Sequence, residues 1–263
     1  MRTRSLVLHS VVVSIAAMTL FACGSSSPAQ QDAAVQQDSG GQYDAPRDGG
    51  DVTQDSGGPT IAYGMLYSDY LTGEPLEGIE CCLDGTTKCA TTDAAGAATL
   101  RGVPASTMVS LTCTRAGYVT RHSQFTTGLA NIGGGESLFS DSLLVSWAQA
   151  AGVTLDPTKA FVFVQGAFIG QHRTGITFSL TPASGVGPVY FNNSGVPDTT
   201  VTDTIAAPYA FFVNVEPGDL VFAATAANGC SYLAPYGWEG QTADTITVPT
   251  FAGAMSNAFL MCQ

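Results

Sequence analysis

GIECCLDGTTKCATTDAAGAATLRGVPASTMVSLTCTRAGYVT, Gly78 to Thr120, alternates apolar with polar residues in short runs parted by turn residues. Successive side chains of a strand point to opposite faces, so Ile79, Cys81 and Leu83 share one side, as do Val109, Leu111 and Cys113. Working outward, the alternation predicts strands near 61–68, 78–83, 88–92, 97–101, 108–114 and 118–125. Thr72-Gly73-Glu74-Pro75, Asp84-Gly85, Asp93-Ala94-Ala95-Gly96 and Val103-Pro104-Ala105 punctuate them as turns. Strands this short and this closely spaced predict a small antiparallel β-sandwich.

The bulk composition agrees. Only 11% of the 263 residues are charged, and there are 30 glycines, which suits an all-β chain rich in turns. The formal charge of −12 argues against nucleic acid as a partner, since no basic stripe is present to displace counterions. Part of that charge is local: Asp32, Asp38, Asp44, Asp48, Asp51 and Asp55 stand against Arg47 alone in the segment from Gly24 to Pro59.

Thr72-Gly73-x-Pro75-Leu76-x-Gly78-Ile79, Thr92-Asp93-x-x-Gly96, Leu100-x-x-Val103-Pro104-Ala105 and Gly117-Tyr118 follow one another in an order and spacing that resemble the carboxypeptidase regulatory-like domain. The resemblance covers about 65 residues and departs from the family pattern at Ala97-Ala98. It implies a prealbumin-like (transthyretin-like) sandwich acting as an accessory or binding element on a secreted or surface protein, without catalysis of its own.

Further along, Phe139, Leu143, Leu144, Trp147 and Ala151 fall on one helical face. Ser140 is a suitable N-cap, Asp141 sits in the first turn and Gly152 is a suitable stop, so one helix of about ten to twelve residues is expected. Beyond it the chain reads as a worn second copy. Ala160–Gly166 parallels the opening strand, Gly175–Leu180 parallels Gly78–Leu83, and Ala210–Thr225 parallels Ala98–Thr112. The expected organisation is a signal peptide over 1–22 and a lipid-anchored disordered linker over 23–59. A carboxypeptidase regulatory-like sandwich over 60–128, a connecting helical segment over 129–156 and a second, divergent sandwich over 157–263 follow. The expected class is all-β, two small sandwiches in tandem with one helix.

The N-terminus reads as an export signal. Arg2 and Arg4 precede an apolar stretch from Leu6 to Phe21, too short for a comfortable membrane span. It ends in Leu20-Phe21-Ala22-Cys23, which resembles the lipobox of bacterial lipoproteins despite the bulky Phe21. The resemblance implies a diacylglycerol thioether on Cys23 and attachment to the cell envelope, the outer membrane being favoured because no acidic residue follows the cysteine. Two or three acyl chains bury enough CH₂ groups, at about 0.8 kcal/mol each, to anchor a protein durably. The following 36 residues, rich in Ser, Gln, Asp and Gly, have the composition of a tether.

Seven cysteines less Cys23 leave an even six for an oxidising compartment. The face argument pairs Cys81 with Cys113 across the core, Cys82 with Cys89 across the Asp84–Thr87 loop, and Cys230 with Cys262 by remainder if the two units fold separately. Catalytic chemistry is sparse. Of His9, His122 and His172 the first lies in the signal, the other two read as isolated surface residues, and no zinc-peptidase or iron-dioxygenase ligand set can be assembled. No catalytic residue, metal site or cofactor is therefore assigned. Tyr232, Tyr236 and Trp238, set among Gly and Pro, form a candidate platform for a sugar or a peptide. The expectation is a non-catalytic surface module for a glycan or protein ligand, or else a structural spacer in an envelope assembly.

Overall fold

Ala160-Phe161-Val162-Phe163-Val164 is apolar at every position because its strand is covered on both sides. Ala160, Val162 and Val164 enter one core, Phe161 and Phe163 another. The computed structural model describes residues 58–263, apart from 168–172, 206, 232–237 and 239. Its strands are β1 (Thr60–Asp69), β2 (Glu80–Leu83), β3 (Cys89–Thr91), β4 (Ala97–Pro104), β5 (Met108–Arg115), β6 (Tyr118–Thr126) and β7 (Ile132–Leu138). Helix α1 (Asp141–Ala150) follows, then β8 (Ala160–Gln165), β9 (Thr177–Thr181), β10 (Val186–Phe191), β11 (Pro197–Asp198), β12 (Tyr209–Val215) and β13 (Gly218–Thr225). The chain closes with β14 (Cys230–Ser231), β15 (Gly240–Thr242), β16 (Thr245–Thr250), β17 (Ala254–Phe259) and β18 (Met261–Cys262). The class is all-β, with one short helix among the described residues.

The first half stacks the sheet β4-β1-β7 on strands β6-β5-β2-β3, and Tyr63, Met65, Ile79, Cys81, Leu100 and Leu111 fill the space between. The second half stacks β15-β16-β13-β9 on β11-β10-β12-β8-β17. β17 then pairs with β8 on one side and β6 on the other, so one nine-stranded sheet runs through both halves. Residues 58–263 form one compact unit.

The halves repeat each other in detail. Buried Thr92 accepts at its hydroxyl from Ile79 N (2.9 Å) and donates to Leu76 O (2.6 Å). Buried Thr204 accepts from Ile176 N (3.0 Å) and donates to Arg173 O (2.8 Å). Likewise the Thr127 hydroxyl proton is shared between Pro104 O and Thr107 O, and that of Thr250 between Glu216 O and Gly218 O. In both places a buried threonine satisfies backbone groups of a loop that would otherwise lack partners. The Thr92-Asp93-x-x-Gly96 turn has its own reason. Asp93 Oδ1 accepts from Ala95 N and Ala97 N, and Gly96, at φ +73°, lies so close to Tyr67 O that a Cβ would strike it.

Two features differ from the sequence expectation. The segment Ile132–Leu138, placed in the connecting helical region, is a strand whose Gly133-Gly134-Gly135 hides the alternation that marks strands. Pairing is also not wholly antiparallel: β7 runs parallel to β1, and β17 parallel to both β6 and β8. Strand direction is free wherever the chain crosses between layers instead of turning back in a hairpin. Arg121 of β6 secures the first crossing, donating from Nη1 to Ser137 O (2.6 Å) while Nη2 pairs with Glu136 (2.7 Å).

Helix α1 starts where Ser140 Oγ accepts from Leu143 N, and ends before Gly152 at φ +77°. It seals the other face of the long sheet. Trp147 stacks on Phe211 and meets Phe191 edge-on, with 5.0 Å between ring centroids in each case, and Tyr70 stacks on Phe139 at 4.1 Å.

Candidate functional site

The candidate platform divides. Trp238 is 4% exposed, packs in the second half's core and donates from Nε1 to Asn257 O on β17 at 2.6 Å. Its ring is core, not a surface offered to a ligand. Tyr232 and Tyr236 lie outside the described residues, as do His172 and residues 1–57, Cys23 among them.

The cysteines are brought together as Cys81–Cys113, Cys82–Cys89 and Cys230–Cys262. Each pair occupies directly opposed positions on neighbouring strands. Cys81–Cys113 therefore joins β2 to β5 within one sheet and does not cross between layers, as the face argument had it. Side chains on one face of adjacent strands are already within disulfide reach, whereas facing sheets stand about 10 Å apart. Tyr67 Oη lies 3.0 Å from Cys113 Sγ in the core. Cys82 and Cys89 point to the opposite face, beside Glu80. With both sulfurs consumed in the bond, that cluster offers a metal no thiolate.

The same outer face carries a polar chain that the sequence reading missed. Thr112 Oγ1 donates to Asp84 Oδ1 at 2.6 Å and lies 2.9 Å from His122 Nδ1. A hydroxyl has a single proton, and Thr112 gives it to Asp84, so Nδ1 must carry hydrogen and donate to Thr112. Nε2 is then the imidazole's acceptor. Phe251 stacks on the ring at 4.0 Å between centroids, and Gln124 Nε2 donates to Ser110 Oγ (3.2 Å) alongside. His122 is thus neither isolated nor fully exposed. The signal was available only as strand register: Thr112 faces His122 across β5–β6. The hydroxyl lies between carboxylate and imidazole, an order different from that of a Ser-His-Asp triad, in which the imidazole is the middle group.

Burial lowers the pKa of His122, and the Asp84 carboxylate opposes that shift. The folded chain therefore holds a neutral imidazole more firmly than the unfolded chain does. This stability is present above the unfolded imidazole pKa of about 6.5 and is lost as pH falls from there through the lower folded value. A small drop in denaturant midpoint between pH 7.5 and 5.5 is expected, and it should shrink in His122→Gln. An equal drop in both proteins would place the pH sensitivity elsewhere.

No protein-family model matches the chain, and no curated protein matches it by sequence. Among solved structures it is similar to the Bacillus anthracis TIE protein, at 15% identity and TM-score 0.25 over 77% of this chain and 34% of that one. The chain thus spans about a third of that protein. It is also similar to the shaft pilin SpaA of Lactobacillus rhamnosus GG (11% identity, TM-score 0.25, 78% of this chain and 98% of that one). A third similar structure is a minor pilin of Streptococcus agalactiae (12% identity, TM-score 0.21, 76% and 93%). Overlap at this level assigns neither a family nor an activity.

Proposed function

We propose that the chain is a lipid-anchored cell-envelope protein whose β-body is held off the membrane by the linker and serves as a non-catalytic binding module for a glycan or protein. The observation that carries this reading is the division of the cysteines. Six are paired within the body, and the seventh, Cys23, stands alone behind an apolar stretch in the context Leu20-Phe21-Ala22-Cys23. Structural disulfides belong to oxidising compartments, and a lone cysteine at the end of an export signal is a lipid acceptor by its resemblance to the lipobox. Outer-membrane attachment is part of the proposal, resting on Gly24 after the cysteine. The prealbumin-like character of the first half is supported by its turn signatures, and the repeated threonine construction supports the likeness of the second half to the first.

Cys23→Ala should abolish incorporation of a fatty-acid probe and leave unprocessed precursor. Equal label in the variant and the parent chain would remove the anchor from this account. A spacer or assembly role is the second reading, favoured by the burial of Trp238, which withdraws an aromatic anchor from the surface. A carbohydrate array or pull-down separates the two: a recovered glycan or protein ligand supports binding, and a clean negative together with self-association of the chain supports assembly.

A further inference from the structure

A cavity of about 240 Å³ opens where β17 enters between β6 and β8. Val119 of β6, Leu144 and Val145 of α1, Phe161 of β8, Pro157 and Ala254 give it an apolar wall. It is smaller than the roughly 300–1,000 Å³ of sites that enclose drug-sized ligands, so it suits one side chain and not a sugar ring with its hydroxyls. The mouth is charged. Asp141, Asp156 and Lys159 stand there, and Lys159 Nζ is already engaged by both oxygens of Glu216 at 2.6 Å. Among the described residues no ion pair uses Asp141 or Asp156.

The two carboxylates are not equivalent. Asp141 opens α1 and offsets the partial positive charge of the helix start, so part of its field is spent within the helix. Asp156 opens no helix, and the one cation acting on it is Lys159, which is itself paired with Glu216. Its Oδ1 accepts from Thr158 Oγ1 (2.7 Å) and Thr158 N (2.9 Å), which orders the carboxylate and holds its pKa below the ordinary range. Asn214, at φ +57°, accepts from Asp156 N and donates to Thr154 O, pinning the loop that carries it.

An apolar shaft under an anionic rim complements a side chain of the opposite construction, an alkyl stem ending in a cation. We infer that this cavity receives the alkylammonium side chain of a lysine presented by a protein partner. The stem lies against Val119, Leu144 and Phe161, and the ammonium stays at the wet rim beside Asp156. This rests on the reading of the body as a binding module and selects protein over glycan as the ligand. It does not depend on lipidation, which the fatty-acid label scores separately.

The test uses the full chain in nonionic detergent, isotope-labelled for NMR and titrated with N-acetyl-lysine amide. N-acetyl-norleucine amide, which has the stem without the charge, is the comparison, and N-acetyl-glutamine amide the polar control. Saturable shifts at Leu144, Val145 and Ala254 are expected with the lysine compound, weakening as salt is raised. The norleucine compound should bind about tenfold more weakly. Asp156→Asn preserves the oxygen that accepts from Thr158, and should bring the lysine compound down to the norleucine level. Asp141→Asn should have a smaller effect. No saturable shift, equal binding of the lysine and norleucine compounds, or an undiminished response in Asp156→Asn would each overturn the assignment.

Discussion

Replacing Trp238 by alanine is expected to cost the folded body about 3–5 kcal/mol, as truncation of a buried tryptophan typically does. The indole lies in the same core as Phe222, Ile246, Val248 and Leu260, so its truncation leaves a void there. Its Nε1–H also donates to the part-buried Asn257 O at 2.6 Å, and losing that bond adds about 0.5–1.5 kcal/mol in the same direction. Trp238→Phe separates these contributions, keeping most of the volume while losing the donor, and should cost about 1–2 kcal/mol. Urea denaturation followed by far-ultraviolet circular dichroism measures both. If the alanine variant kept the parent's midpoint, Trp238 would have to be exposed, and the aromatic platform would return as the binding surface.

Cys81→Ala with Cys113→Ala is expected to have the second large effect. The bond closes a loop with a sequence separation of 32, for which constraint of the unfolded chain contributes about 4 kcal/mol. Both residues are buried, at 0% and 1% exposure, so truncation leaves a void beside Tyr67 as well. Cys82→Ala with Cys89→Ala removes a bond that closes a loop of separation 7 on the outer face, and the same reasoning gives about 2 kcal/mol. Accessibility should follow the same order: under mild reductant at neutral pH, Cys82–Cys89 should open before Cys81–Cys113. Differential alkylation with peptide mapping checks this. Early opening of the buried bond would show that β2 and β5 separate readily in the native state.

Legibility in the sequence followed the range of the forces involved. β1 to β6 were readable because alternation is a property of neighbouring residues, and each strand covers its core with every second side chain. The helix was readable because Ser140, Asp141 and Gly152 mark its ends through contacts within one turn. β7 was not, because Gly133-Gly134-Gly135 carries no side chains to alternate, and its place beside β1 is set by backbone pairing 69 residues apart, as between Tyr63 and Ile132. The correspondence of Ala210–Thr225 with Ala98–Thr112 was visible as pattern. The equivalence of Thr92 and Thr204 emerged only from their hydrogen bonds.

The cysteine arithmetic, the lone Cys23 and the all-β class are properties that the sequence by itself determined, because parity, composition and period-two patterning need no partner from elsewhere in the chain. Tertiary structure decided the rest. An aromatic among Gly and Pro reads alike whether it faces solvent or a core, and the strand packed above it determined that Trp238 is buried. Likewise, nothing local in His122, Thr112 and Asp84 announces a hydrogen-bonded chain; the register of β5 against β6 and the end of β2 assembles it. The cavity under Asp156 is further still from the linear text. Its wall comes from β6, α1, β8 and the approach to β17, and it exists because β17 inserts between two strands from opposite halves of the chain.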